Sequence, residues 1–226
     1  MIEQVLTLPP LIDTVAITAG ALSGALHATR RDLDAVGILA VSICTAIGGG
    51  AIRDVVLQVG IPTFLVAANY FAYAALGAVA GYFFAGLVRT WVPVLVMLDS
   101  LLIGVWVVIG AEKTLAADLS VTTAVFLALV TATGGGVLRD LLCRETPAVL
   151  QPGQYYALAA LISAVVFVAA LSLGLSVWWA QGLAVAVATG LRFVSMRVNL
   201  RTPVPTDLTD RITGLRWRWR RRDEPA

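Results

Sequence analysis

The segment Thr45-Ala-Ile-Gly-Gly-Gly-Ala-Ile-Arg-Asp-Val-Val-Leu57 returns 86 residues later as Thr131-Ala-Thr-Gly-Gly-Gly-Val-Leu-Arg-Asp-Leu-Leu-Cys143, identical at seven of thirteen positions. Each copy lies inside an apolar stretch long enough to cross a bilayer. A glycine costs a helix interior about 1 kcal/mol relative to alanine, and an ionised side chain at membrane depth costs about 2.5–3.5 kcal/mol on insertion scales. A chain that carries both liabilities twice, at matched positions, is using them. Interrupted helices at corresponding places in two halves point to a transport site.

The setting of the repeat is a membrane. Apolar residues make up 59% of the chain and charged residues 13%, where soluble domains run at about 45–50% and 25%. Apolar runs of about 20 residues give seven spans, at 10–29, 35–57, 63–88, 94–111, 120–143, 154–174 and 177–196. Residues 1–197 form one transmembrane domain, with repeat 1 over 10–88, repeat 2 over 94–174 and the seventh helix over 177–197; residues 198–226 are a basic cytoplasmic tail. No basic stretch precedes a short apolar core at the N-terminus, so no removable signal peptide is expected.

Arginine placement orients the spans. Arg30, Arg31, Arg89 and Arg144 fall in the first–second, third–fourth and fifth–sixth connections, and seven arginines lie in the last 26 residues. The other connections hold only Lys113. By the positive-inside rule the N-terminus is outside and the C-terminus cytoplasmic. The repeat also matches Asp13 with Asp99, Gly24 with Gly110 and, after a one-residue slip, Pro62 with Pro147 and Tyr70 with Tyr155. Each unit holds three spans, an odd number, so the two units enter from opposite sides and are inverted. The expected fold is all-α: two inverted three-helix repeats plus a seventh helix, with the second and fifth spans kinked at Gly-Gly-Gly.

A break at Gly48-Gly49-Gly50 or Gly134-Gly135-Gly136 would free carbonyls at the end of one half-helix, where the dipole favours cations. Thr45 and Thr131 add hydroxyl oxygens, and Asp54 and Asp140 offer negative charge to the path. Close helix packing is the competing role for the glycines, as expected for Gly20 with Gly24 and Gly77 with Gly81. Adjacent residues point about 100° apart on a helix, so Arg53 and Arg139 are expected to pair with Asp13 and Asp99, as static bridges or as gates.

Other features carry less. Cys44 and Cys143 lie in apolar runs and read as buried small residues, without a disulfide framework or CxxC site. His27 is the only histidine, which argues against a zinc or haem site; no cofactor or metal is expected. Trp91, Trp106, Trp178 and Trp179 read mostly as interfacial anchors, and Tyr70 and Tyr155 as core or vestibule. Arg216, Arg218 and Arg220, interleaved with tryptophan, suit anionic lipid rather than nucleic acid. No lysine lies in a span, which excludes a retinal Schiff base, and Ser23 with His27 lacks a third partner. The chain is not read as an enzyme.

With two Gly-Gly-Gly-x-x-Arg-Asp motifs in equivalent spans and a seventh helix, the chain resembles prokaryotic members of the TRIC family, the trimeric intracellular cation channels, over residues 10–197. The resemblance implies a homotrimer in a bacterial or archaeal plasma membrane, in which each protomer carries a potassium-permeable pore between the second and fifth helices. It carries over to Gly48, Gly49, Gly50, Arg53 and Asp54, and to Gly134, Gly135, Gly136, Arg139 and Asp140. Two readings compete with the channel: a carrier of a small zwitterion such as glycine, an activity that close bacterial relatives show, and a non-conducting scaffold whose glycines only pack.

Overall fold

The computed structural model describes residues 10–58, 60–66, 69–90, 92–153 and 155–202. The described residues form eight α-helices and one 3-10 turn, and no strand longer than a single bridge at Arg201. The helices are α1 (Pro10–Thr29), α2 (Ala35–Leu57), α3 (Thr63–Val66), α4 (Asn69–Thr90), α5 (Val92–Ala116), α6 (Val121–Leu142), α7 (Ala157–Ser172) and α8 (Val177–Val198), with the 3-10 turn at Ala148–Leu150. The third expected span is thus two helices, a single turn followed by α4. The fourth expected span runs on as α5 to Ala116, which places Lys113 on a helix rather than in a loop. Among the described residues α2, α6 and α8 are each long and apolar enough to cross a membrane.

The chain repeats its punctuation as well as its motif. Asp32 and Asp118 take the left-handed backbone at φ 52° and 55°, and Gln58 and Arg144 do so at 52° and 60°, each pair 86 apart. Between them, α2 starts where the Asp34 carboxylate accepts from Gly37 N, and α6 starts where Ser120 Oγ accepts from Thr123 N. Such caps satisfy amides that a helix start leaves free. Inside the helices, hydroxyls donate back to the carbonyl four residues earlier, as Ser42 does to Ile38 and Thr114 to Gly110. These hydroxyls therefore sit in apolar surroundings without becoming orphan groups.

Packing follows from small residues. α1 packs on α2 and α4, α5 on α6 and α8, and α2 meets α6 along the seam between the halves. Ala16, Ala21, Ala25 and Ala28 of α1 are fully buried, and a Cβ on Gly77 of α4 would stand 2.5 Å from the Thr18 carbonyl oxygen. Small faces let helix backbones approach where no hydrophobic force separates helix from lipid. α8 packs against both α5 and α7, with Gln181 donating to Glu112 at 2.6 Å and Ser163 to the Ala184 carbonyl at 2.8 Å.

Candidate permeation pathway

The middle glycine of each triplet sits where two helix backbones touch. A Cβ on Gly49 would lie 2.1 Å from the carbonyl oxygen of Thr131, and one on Gly135 would lie 2.2 Å from that of Thr45. Ordinary Cα–H···O contacts run at about 3.3–3.6 Å between carbon and oxygen, so only hydrogen fits. The first glycines are also pressed, Gly48 by Leu138 and Gly134 by the Gly49 Cα. The third glycines are open: Gly50 meets only Arg53 Nη2 at 3.7 Å, and Gly136 meets nothing within 4 Å.

This geometry corrects the expected interruption. α2 and α6 are helical without a break through both triplets, and the carbonyls of Thr45 and Thr131 belong to continuous helices. The triplets serve a close α2–α6 crossing instead, and their third members leave space. The one interior departure from helical backbone among the described helices is at Phe84 in α4, at φ −115° and ψ 22°. Thr45 and Thr131 donate their hydroxyl hydrogens to Val41 and Leu127 at 2.6 Å, which leaves their oxygen lone pairs for another partner.

The arginines pair with their own sequence neighbours, which corrects the expectation that the 100° separation keeps them apart. Arg53 Nε donates to Asp54 Oδ1 at 2.8 Å, and Arg139 Nε donates to Asp140 Oδ1 at 2.8 Å. The 100° between neighbours is spanned because the long guanidinium side chain folds back along its helix. Each aspartate is anchored elsewhere too. Asp54 Oδ2 accepts from Thr63 N at 2.9 Å, and Asp140 Oδ2 accepts from Ala148 N at 2.8 Å. The carboxylates thereby cap α3 and the 3-10 turn, which pins them facing their arginines. Asp99 is half-buried beside the cavity that Arg139 also lines. The side chain of Asp13 and residues Arg216, Arg218 and Arg220 lie outside the described residues.

Each aspartate also meets a basic residue from the first helix of the other half. Lys113 Nζ on α5 donates to Asp54 at 3.0 and 3.2 Å and to the Thr63 hydroxyl. His27 on α1, 86 positions before Lys113, stands 4.0 Å from Asp140 Oδ1 and 2.7 Å from Glu145 Oε2. Arg31 also bridges to Glu145.

Two cavities flank the crossing. The larger holds about 360 Å³ and is lined by Gly136, Asp140, Tyr156 and His27, with Asp99 and Arg192. The smaller holds about 70 Å³ and is lined by the counterparts Gly50, Asp54, Tyr70 and Lys113. Ala46, Gly50 and Trp106 line both. Trp106 is therefore a partition at mid-helix, not an interfacial anchor, whereas Trp178 and Trp179 at the start of α8 are exposed. A buried guanidinium nitrogen without a hydrogen-bond partner belongs to each set of lining residues: Arg53 Nη1 in the smaller and Arg192 Nε in the larger. Orphan donors of this kind call for water, and both cavities exceed the roughly 10–15 Å³ that one water needs.

His27, Lys113, Tyr156, Trp106 and Arg192 are the cavity-lining residues that pattern reading missed. The 86-residue offset pairs His27 with Lys113, a match available from the sequence, and in the cavity linings Tyr70 answers to Tyr156, although the amides that bind the two aspartates, Thr63 and Ala148, follow the one-residue slip. Arg192 has no counterpart; α8 brings it to 4.9 Å above the Tyr156 ring.

An all-helical bundle with paired cavities, each lined in part by charged side chains, on either side of a helix crossing has its counterparts among membrane channels and transporters rather than enzymes. Solved TRIC channels share the fold. One, studied for conductance through TRIC cation channels, superposes with TM-score 0.83 at 28% identity, over 89% of this chain and 98% of its own. The TRIC orthologue of Rhodobacter sphaeroides gives 0.78 at 32% identity, over 84% and 98%. A UPF0126 membrane protein of Deinococcus radiodurans is 33% identical over 85% of this chain and 90% of its own, and the UPF0126 inner membrane protein YadS of Escherichia coli 32% over 85% and 93%. The family model described as Glycine transporter matches twice, at residues 10–86 and 96–172. The chain belongs to this TRIC-related family of bacterial multi-pass membrane proteins.

Proposed function

We propose that the protein is a channel for monovalent cations, potassium foremost, with one conduit in each protomer of a homotrimer. The observation that carries this reading is the pair of cavities that approach the α2–α6 crossing from the two ends and share Ala46, Gly50 and Trp106. Thr45, Thr131, Asp54 and Asp140 supply oxygen along the route, with the third glycines as its narrow floor. Arg53 and Arg139 act as gating charges rather than cation ligands, neutralised by Asp54 and Asp140. The seven-span inverted-repeat topology, with the arginine-rich end in the cytoplasm, is supported by the recurrence of caps and turns at one offset and by the double family match. It puts the larger cavity on the cytoplasmic side. The basic tail, with Arg216, Arg218 and Arg220, holds anionic lipid headgroups.

A second reading rests on the larger cavity. Asp99 and Arg192 face a common space beside Arg139, and such opposed charges suit the ammonium and carboxylate of a small zwitterion such as glycine, the solute named for the family model. Purified protein in planar bilayers separates the two. Unitary potassium currents support the channel; saturable labelled-glycine uptake into vesicles without unitary currents supports the carrier; neither result leaves both untenable.

A further inference from the structure

The two ends of the pathway are built alike except for the residue that closes them. At one end the aspartate of the motif, Asp54, holds three partners: Arg53, the Thr63 amide and Lys113, whose ammonium lies within 3.0–3.2 Å of both carboxylate oxygens. At the other end Asp140 holds Arg139 and the Ala148 amide in the same way. The counterpart of Lys113, His27, is held instead by Glu145, with Nε2 2.7 Å from Oε2, and stands 4.0 Å from Asp140 Oδ1. The end where lysine binds the aspartate encloses about 70 Å³, and the end where histidine is held off it by Glu145 about 360 Å³.

A lysine ammonium stays charged at every physiological pH, whereas histidine is the side chain that gains or loses its charge there. The geometry points to His27 as a proton-operated latch on the mouth of the larger cavity. Protonated, its imidazolium is drawn between Glu145, which it already meets at 2.7 Å, and Asp140, closing the second gap by about 1 Å, from 4.0 Å to ordinary ion-pair distance, and so bringing the end of α1 toward α6. Neutral, it leaves that mouth open. Asp54 already accepts an arginine and a second cation together, so Asp140 can take the imidazolium without releasing Arg139.

The charges facing His27 come from three places. The α1–α2 connection brings Arg30 and Arg31, α6 brings Arg139 and Asp140, and the segment after α6 brings Glu145. Asp99 of α5 lines the same cavity. α4, also packed on α1, brings no charged side chain there among the described residues. Arg31 and Arg139 each hold one of the two carboxylates, so the local charge is nearly balanced before the histidine titrates and its proton tips it.

The inference rests on the conduit proposed above, and its test separates the two. In a background with Cys44→Ala and Cys143→Ala, Gly136→Cys offers the only thiol, and it lines the larger cavity. Its labelling by a small water-soluble thiol reagent, corrected for thiolate fraction against an exposed Ser120→Cys control, reads the mouth whether or not ions flow. From about pH 7.5 to about pH 5 on the His27 side, corrected labelling and potassium flux are expected to fall about threefold or more as the imidazole charges. Acid on the opposite side should change neither. His27→Gln should stay open across the range and His27→Lys closed across it, and Lys113→His should transfer the acid sensitivity to the other side. Labelling that falls with acid while no flux is seen at any pH upholds the latch and rejects the conduit. Wild-type flux and labelling that ignore acid, or a His27→Gln variant that keeps the full response, overturn the latch and leave the conduit standing.

Discussion

Alanine at Gly135 and alanine at Gly136 should have opposite effects, although the two positions are neighbours in one helix. Both substitutions gain the same intrinsic helix preference, about 1 kcal/mol over glycine, so the difference between them isolates packing. At Gly135 the new carbon would start 2.2 Å from the Thr45 carbonyl oxygen, which is backbone and cannot swing aside; at Gly136 it meets nothing within 4 Å. Relieving the first overlap requires α2 and α6 to part by about 1 Å, and overpacking of that kind costs about 1–3 kcal/mol. Gly136→Ala is therefore expected to match or exceed the wild type in stability, and Gly135→Ala to fall about 1–3 kcal/mol below Gly136→Ala. For a chain of this size that is several degrees in thermal midpoint, at about 2–4 °C per kcal/mol. The assay is thermal unfolding of the two proteins in one detergent, with Gly49→Ala and Gly50→Ala as the mirror experiment. Equal midpoints for Gly135→Ala and Gly136→Ala would show that the helices do not cross where the glycines lie. Gly136→Val should then fold normally yet reduce flux, because its methyl groups enter the larger cavity.

Asp54→Asn leaves the buried Arg53 without its counter-charge, and breaking such a pair costs about 3–5 kcal/mol; Asp54→Asn with Arg53→Met should recover part of the loss in the same unfolding assay. Trp106→Ala removes the side chain common to the two cavities, so potassium flux into vesicles should rise, and an unchanged or lower flux would argue that the cavities do not communicate there. Ser163→Ala deletes the hydroxyl that bonds Ala184 across the α7–α8 contact and should destabilise by only about 0.6 kcal/mol, the mean for such bonds in membranes; a loss of several kcal/mol would mean that α8 is held mainly by polar contacts rather than by its alanines.

The sequence alone determined the solvent, the approximate places of the spans and the repeat, though not that the third span divides into α3 and α4 or that the fourth extends to Ala116. Apolar runs of bilayer length leave a chain no option but helices that satisfy their own backbone; the caps at Asp34 and Ser120, which recur at one offset, emerged from the structure. Doubled glycine and Arg-Asp motifs were legible as a site for the same reason: they are costly in a membrane and occur twice. Which partner each charge takes was decided only in three dimensions. Arg53 finds Asp54 because the short α3 pins that carboxylate from the far side, a contact no helical-wheel angle contains. The glycines turned out to join helices rather than break them, since a triplet can open a ladder or admit a neighbouring backbone, and only the position of Thr131 and Thr45 across the crossing selects between the two. His27 and Lys113 are matched by the repeat offset, but that Lys113 binds and His27 faces an aspartate of the opposite half was decided by packing, because proximity between halves is a property of the fold.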